Sequence, residues 1–140
     1  MAKIYEWTYG EVSLVRVIDG DTVVLRLERE YVQEIDFGFY IYDRATVLKT
    51  TEVHFRVHGL NTPEVVGEQK VRGLAAKAAL EALLGSGKIK VRSLKPDKYG
   101  GRFLAEIWVQ QPDKPEISVT AYMIEAGHAK SYDGTGVKPV

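Results

Sequence analysis

One short stretch of the chain carries an arginine and a glutamate at a spacing suited to phosphate chemistry. Residues 54–64 read His-Phe-Arg-Val-His-Gly-Leu-Asn-Thr-Pro-Glu. Apolar and polar residues alternate around Arg56, as in a strand with one buried face, so Arg56 should point away from the core, toward solvent or a ligand. Gly59 ends the strand, and the Thr62-Pro63 corner places Glu64 just behind it. A phosphate-matching cation and a carboxylate in one strand–turn unit indicate a phosphodiester site.

A second stretch, Asp19-Gly20-Asp21-Thr22, lies between two β-prone runs, residues 12–18 and 23–27. Asp-Gly between such runs predicts a hairpin in which the glycine adopts a positive φ. Two interpretations of the carboxylates stay open. Asp19 and Asp21 only build the turn, or Asp21 supplies an oxygen ligand to a hard cation.

A third stretch, residues 95–102, is basic and rich in glycine, between predicted strands at residues 88–94 and 103–109. Glycine lets the backbone approach a ligand, and the lysine, tyrosine and arginine side chains of this loop suit a phosphate and a base. An ordinary hairpin loop with solvated charges explains the same composition.

Two helices are expected around these strands. The first is predicted over residues 68–84, where Gly73 would permit close packing against a neighbour. The second is short, begins after the capping residue Ser118 and ends at Gly127. The apolar positions that give the first helix its predicted buried face are Val71, Leu74, Ala75, Ala78, Ala82 and the leucines that follow.

Residues 28–51 are the least regular part of the pattern. Residues 35–42 are aromatic and β-prone, residues 43–46 are typical of a turn, and residues 47–51 lead into the strand of Arg56. We therefore expect an additional hairpin or an extended excursion, whose aromatic side chains form a packing patch rather than a base-stacking platform.

Composition bounds the remaining possibilities. A chain of 140 residues with 45% hydrophobic residues predicts one domain over residues 1–140 with a real core. The lack of cysteine excludes disulfides, thiolate zinc sites and cysteine catalysis. No long apolar stretch lies at the N-terminus, so we expect a cytoplasmic protein, or a secreted one if a leader was removed. A net charge of zero means that a nucleic-acid partner would meet a local basic patch.

The order of elements favours a mainly β fold with helices, in the α+β class. Short antiparallel strands interrupted by one helix suit a five-stranded barrel of the oligonucleotide-binding (OB) type with two or three helices.

At this point four segments in order resemble one family, the staphylococcal (thermo)nuclease-like domains. The resemblance spans residues 12–134, and residues 35–42 resemble an insert of bacterial and phage-type members. The segments are Ile18-Asp19-Gly20-Asp21-Thr22-Val23, then Phe55-Arg56 through Asn61-Thr62-Pro63-Glu64, then residues 97–102 with Leu104-Ala105, and finally Glu125-Ala126-Gly127-His128-Ala129.

The resemblance implies a calcium-dependent hydrolase of DNA and RNA phosphodiesters, acting as a monomer on single-stranded or frayed nucleic acid, without a membrane partner. It also implies a role for each matching residue. Arg56 and Arg102 would hold the scissile phosphate and Glu64 would orient or deprotonate water; Asp21, Asn61 and the Thr62 carbonyl would bind Ca²⁺; Lys98, Tyr99 and Tyr132 would contact the substrate.

Two departures from the family pattern affect these expectations. Asn61 stands where the best-known members have aspartate, which removes one ligand charge and should weaken or loosen metal binding. The loop before Arg102 contains an extra glycine, which changes the reach of that arginine. The family's long C-terminal helix is also expected to be absent or minimal.

Two functions other than a nuclease also have to be considered for these residues. A non-catalytic OB-fold module that binds nucleic acid or protein would not need Arg56, Glu64, Asp21 and Arg102 together. A histidine-based metal site would need neighbouring ligands, but on a strand His54 and His58 are about 13 Å apart. We therefore expect the histidines, including His128, to be structural or surface residues.

Overall fold

The computed structural model describes the backbone of residues 7–9 and residues 11–97 and 100–132 in full. Lys98 and Tyr99 therefore lie outside the described residues. The strands are β1 (Trp7–Tyr9), β2 (Glu11–Asp19), β3 (Thr22–Gly38), β4 (Ile41–Val57), β5 (Leu60–Asn61), β6 (Lys88–Pro96), β7 (Phe103–Gln110), β8 (Ile117–Ser118) and β9 (Lys130–Ser131). The helices are α1 (Lys70–Leu84), preceded by a 3₁₀ turn at Gly67–Gln69, and α2 (Val119–Glu125).

The main sheet has the strand order β1-β6-β7-β4-β3-β2, with β8 paired to β7. Only the β4–β7 pair is parallel among the described ladders. A separate two-stranded sheet joins β5 to β9. This arrangement confirms the mainly β class with two helices and agrees with an OB-type fold. The predicted closure differs: in the described residues β2 packs near β6 without a ladder between them, so the sheet does not close into a barrel.

The core lies between the sheet and the two helices. Alternation along β4 is as predicted, because Phe55 and Val57 are both fully buried. Leu80 of α1 and Met123 of α2 reach the same cluster. Ser118 caps α2 as predicted, since its hydroxyl accepts from the backbone N–H of Ala121 at 3.3 Å.

The buried face of α1 is only partly the predicted one. Val71 is 83% exposed and Leu74 is 45% exposed, and the three predicted alanines are exposed as well. Leu83 and Leu84 are buried as predicted, together with Gly73, Ala76 and Leu80. The physical reason is the close approach of α1 to the loops beneath it, where only the smallest side chains fit.

Residues 28–51 form the extended excursion, one of the two predicted alternatives, and not a separate hairpin. They extend β3 and β4 into one continuous pair of 17-residue strands, in one register from Thr22↔Arg56 to Asp36↔Tyr42, with a register shift before Gly38↔Ile41. The turn predicted at residues 43–46 is wrong, because these residues pair with residues 32–35. The chain reverses at Phe39 and Tyr40, which both have positive φ.

Candidate active site

The Asp19–Thr22 turn joins β2 to β3 and presents one carboxylate to the end of β4. The N–H of Asp21 donates to Asp19 Oδ1 at 3.0 Å, so Asp19 builds the turn. Asp21 is buried and accepts from Thr22 Oγ1 at 3.0 Å and from the N–H of Thr62 at 3.4 Å. Of the two open interpretations, turn building describes Asp19, and Asp21 faces the neighbouring loop.

The structural role of Gly20 in this turn differs from the predicted one. Gly20 does not have a positive φ. A Cβ at Gly20 would lie 2.8 Å from Ala76 Cβ and from the side chain of Thr62. Gly20 therefore gives room for α1 and the Thr62 loop to close on the turn.

Among the titratable groups of the described residues, Asp19 is the one whose pKa departs clearly from its ordinary value. Burial raises the pKa of Asp19 to about 7, and its hydrogen bond and charge repulsion with Asp21 act in the same direction. The carboxyl groups of Asp19 and Asp21 are thus held side by side in a partly buried turn, where a nearby cation would stabilise their ionised forms.

Arg56 lies at the centre of the site. The sequence predicts that the Arg56 side chain points toward either solvent or a ligand. It does not point into solvent, because the residue is only 5% exposed. Arg56 Nη2 lies 3.7 Å from Asp21 Oδ2 and 3.5 Å from Asn61 Oδ1. The guanidinium carbon also lies 5.7 Å from the centre of the Tyr132 ring. The side of β4 opposite the core is therefore covered by these polar and aromatic groups.

Tyr132 reaches Arg56 because the chain returns beside the end of β4. The β5–β9 pair joins Asn61 to Lys130, and the N–H of Tyr132 donates to the carbonyl of Gly59 at 3.0 Å. Tyr132 is buried, 7% exposed. In the described structure its ring contacts the arginine of the site.

Arg102 is brought to the same edge by the parallel β4–β7 pair, in which Phe55 faces Phe103. Its Nη2 lies 2.6 Å from Asp97 Oδ2, and its Nη1 donates to Thr22 Oγ1 at 3.4 Å. Thr22 in turn donates to Asp21. Arg102 is thus connected to Asp21 through one hydroxyl, and the extra glycine in the loop does not remove it from the site.

Glu64 is exposed and stands two residues beyond Thr62. Its carboxylate makes no hydrogen bond or ion pair with the part of the chain that the structure describes. Its backbone is held: the N–H donates to Gln69 Oε1 at 3.1 Å, and its carbonyl packs directly on Gly73 of α1. The loop position of Glu64 is fixed, and its side chain stays accessible.

The donor set suits a hard cation more than a transition metal. Among the described residues, no group of three or more His, Cys, Asp and Glu side chains could hold a metal ion. The Asp21 carboxylate and the Asn61 amide oxygen nevertheless both lie within 3.7 Å of Arg56 Nη2, and the Asp21 carboxylate also accepts from the N–H of Thr62. Calcium accepts carboxylate, amide, backbone and water oxygens in irregular geometry, so these residues fit that ion.

A cavity of about 250 Å³ adjoins the site at Asn61 and Thr62. Its wall includes three basic side chains, Arg72, His128 and Lys130. Within the described ranges, none of these three side chains makes a hydrogen bond or ion pair, although the backbone of His128 donates to Met123. We call the part of the cavity that is lined by Arg72, His128 and Lys130 the basic pocket. It is the local positive surface that a chain of zero net charge would need for an anionic ligand.

Sequence reasoning missed several of these residues. The sequence assigns no functional role to Arg72, Thr22 or Asp97, and it predicts that His128 is a structural or surface residue. No sequence signal marks the basic pocket, because it depends on the pairing of β5 with β9. Asp97 could have been noticed as the acidic residue that opens the basic loop.

Comparison with known proteins agrees with this geometry. Residues 54–138, more than half of the chain, match the sequence profile of the family described as staphylococcal nuclease homologue. A search of curated proteins found no match. Neither of the described helices is long and apolar enough to span a membrane.

Proposed function

Since the chain belongs to the staphylococcal nuclease homologue family, we propose that it is a calcium-dependent nuclease that hydrolyses phosphodiester bonds of DNA or RNA. The proposal takes residues 1–140 as a single nuclease domain. The observation that carries it is the convergence of Arg56, Arg102 and Asp21 at one edge of the sheet, with Thr22 between Arg102 and Asp21.

In this proposal the two arginines hold the scissile phosphate. A phosphodiester is anionic and repels an attacking hydroxide, so its charge must be neutralised first. The planar guanidinium donates to two phosphate oxygens at once, which lysine cannot do. Arg56 contacts Asp21 at 3.7 Å, longer than a charge-assisted hydrogen bond of about 2.8 Å. Its donors can therefore turn to a phosphate without losing a strong ion pair.

Asp21, the Asn61 amide oxygen and the Thr62 carbonyl would hold the calcium ion. When bound, that ion supplies positive charge that lowers the cost of the negative charge developing on the phosphate oxygens. Glu64 acts as the base: its accessible carboxylate, on a loop fixed by Gly73, orients and deprotonates the attacking water.

The basic pocket offers a route for the rest of the substrate. Because it adjoins Asn61 and Thr62, a strand whose scissile phosphate lies at Arg56 can place a further phosphate beside Arg72 and Lys130. An opened strand fits more easily than a duplex into a cavity of this size, which favours single-stranded or frayed nucleic acid. Lys98, Tyr99 and Tyr132 remain proposed substrate contacts.

The decisive experiment compares the wild type with Glu64→Gln in the digestion of plasmid and of a labelled single-stranded oligonucleotide, with calcium and with chelator. We expect cleavage only with calcium, and a loss of about 10²–10⁴-fold in rate for Glu64→Gln. Glu68→Gln, a nearby exposed glutamate in the 3₁₀ turn, is the matched control and should cleave normally.

Equal cleavage by the wild type and Glu64→Gln would reject Glu64 as the base. No cleavage with calcium, together with retained binding of the oligonucleotide, would favour the alternative of a non-catalytic OB-fold module that binds nucleic acid. No binding of either DNA or RNA would leave a protein-binding module.

A further inference from the structure

The distal halves of β3 and β4 form a two-stranded arm that leaves the body of the protein. From Arg29↔Lys49 to Gly38↔Ile41 the two strands pair only with each other, over about 30 Å at the usual rise of a strand. An isolated two-stranded ribbon is marginally stable in water. Large apolar side chains that are exposed on this arm are Tyr31, Val32, Ile35, Phe37, Phe39, Tyr40, Ile41, Tyr42 and Leu48.

The two faces of the arm differ. Strand alternation and the β3–β4 register place Tyr31, Val47, Ala45 and Ile35 on one face, which we call the apolar arm face. The opposite face carries the Arg44–Glu34 ion pair, at 2.6 Å, together with Glu30 and Asp36, and it also exposes Val32, Tyr42 and Leu48. Three acidic side chains and one basic side chain lie on that face, so two copies of it would repel each other. The apolar arm face, whose charged residues are Arg29, Lys49 and Asp43, is therefore the one on which a second copy can pack.

The apolar arm face also has an internal charge pattern. Lys49 lies at its base and Asp43 lies near its tip, six residues further from the body along the same strand. All of the residues between them on this face are neutral. Two arms can stack face to face around a two-fold axis that lies between them, perpendicular to the strands, at the level of residue 46. This arrangement would bring Asp43 of one arm opposite Lys49 of the other.

We propose that the apolar arm face is a dimerisation surface, which packs against the same face of a second copy with the two arms antiparallel. Two complementary Asp43–Lys49 contacts form, one at each end. Between them Val47 of one arm lies over the smaller Ala45 of the other, and Tyr31 lies over the flexible Gln33. This proposal differs from the monomer expected from the sequence.

Other occupants fit the arm less well. The arm, residues 29–49, contains four acidic and three basic residues, so no excess of positive charge draws it to nucleic acid or anionic lipid. A second copy on the apolar arm face instead brings Asp43 of one arm to Lys49 of the other. A face about 30 Å long is small for a stable interface, so we expect dissociation in the micromolar range.

The test is the mass of the full-length protein by sedimentation equilibrium, over about 1 to several hundred micromolar, in the range expected for a small interface. The wild type should dimerise. Asp43→Lys and Lys49→Asp should each be monomeric, because each places like charges at both ends of the interface. An equimolar mixture of the two should form heterodimers, and the variant that carries both changes should dimerise again.

Glu30→Lys, a charge reversal on the opposite face, is the control and should leave dimerisation unchanged. Circular dichroism checks that every variant is folded. A wild type that stays monomeric throughout, single variants that still dimerise, or a mixture that does not associate would each overturn the proposal. Co-sedimentation of the wild type with phosphatidylglycerol vesicles, without self-association, would assign the arm to a lipid surface instead.

Discussion

At the scale of single residues, Arg56 shows how a cation can be buried and still be available to an anion. The residue is 5% exposed, and its charge is compensated by the Asp21 carboxylate, the Asn61 amide oxygen and the Tyr132 ring. None of these distances is that of a tight bidentate pair. A buried guanidinium with loose partners is strongly attracted to a phosphate that brings two well-placed oxygens.

The metal site can be tested at Asn61. Asn61→Asp adds one carboxylate beside Asp21, so calcium should bind about tenfold more tightly by calorimetric titration. The same variant should gain more in melting temperature on addition of calcium than the wild type does. Ser13→Asp adds the same charge at an exposed position of β2 and should change neither value. Unchanged calcium affinity in Asn61→Asp would place this residue outside the metal shell.

Asp97 is a positioning residue for Arg102, since the two side chains meet at 2.6 Å while Asp97 itself is buried. Asp97→Asn keeps the shape but removes the charge-assisted pair. We expect kcat to fall about tenfold with a smaller change in KM, because Arg102 keeps its charge but loses its orientation.

The control for Asp97 lies on the same hairpin. Glu106 pairs with Arg92 at 3.8 Å, and both side chains are more than a third exposed, so Glu106→Gln should cleave like the wild type. A normal kcat in Asp97→Asn, or an equal loss in Glu106→Gln, would show that Asp97 does not position Arg102 for the proposed reaction.

The residues proposed for the site stand out in the sequence because each lies in a short motif. Asp21 follows Asp-Gly, and Arg56 lies three residues before a glycine that was expected to end the strand. Thr22 and Asp97 could not be predicted in the same way, because their roles depend on which strands pair: the β4–β7 ladder brings Arg102 to Thr22, a contact between residues 80 positions apart.

At the scale of elements, α1 holds the two site loops together through small residues. A Cβ at Gly73 would lie 1.9 Å from the carbonyl oxygen of Glu64, and Ala76 touches the position that a Cβ at Gly20 would take. The helix therefore packs on the Asp19–Thr22 turn and on the Pro63-Glu64 segment at once. The prediction that Gly73 permits close packing is confirmed.

Gly73→Ala should therefore damage both stability and activity. Alanine favours the helix by up to about 1 kcal/mol, but the clash with backbone must be relieved by moving α1 or the Glu64 loop, and overpacking typically costs about 1–3 kcal/mol. We expect a lower melting temperature and a kcat reduced at least tenfold, since displacement of Glu64 by about 1 Å misplaces the base.

Gly85→Ala is the matched control at the end of α1, because a Cβ there comes no closer than 3.3 Å to another atom and the φ is −80°. It should change kcat little. A Gly73→Ala enzyme that melts and cleaves like the wild type would show that α1 does not fix the Glu64 loop.

Two features of the elements, most of the buried face of α1 and the turn of the arm, could not be predicted from sequence patterns. An alanine-rich helix has no sharp apolar side, so its buried face was decided by fit against Gly20 and Glu64 rather than by hydrophobicity. The arm was ambiguous for a related reason: its turn uses Phe39 and Tyr40, residues with no turn preference. The hydrogen bond from the N–H of Gly38 to Asp36 Oδ1, at 2.7 Å, starts the reversal instead.

At the scale of the whole molecule, charge is distributed unevenly although it sums to zero. The arm is acidic on balance, while the basic pocket lies beside the candidate site. A nucleic-acid strand would thus be attracted toward the site by a local field and repelled by the arm. The pocket is assembled from α1, the segment after α2 and β9, so it exists only in the folded chain.

Salt dependence of substrate binding tests whether this pocket holds phosphate. With Glu64→Gln as background, so that the substrate survives, the affinity for a single-stranded oligonucleotide should fall with salt. Adding Arg72→Gln and Lys130→Gln should weaken binding at low salt. It should also reduce the slope of log K against log salt by about 0.7 for each lost phosphate contact.

Arg16→Gln with Lys77→Gln removes the same two charges elsewhere, at an exposed position of β2 and a partly exposed position of α1 outside the basic pocket. This control should leave the slope unchanged, because only counterions released at a real phosphate contact enter it. An equal fall in slope for both pairs would mean that net charge alone attracts the strand. An unchanged slope for the pocket pair would place the second phosphate elsewhere on the surface.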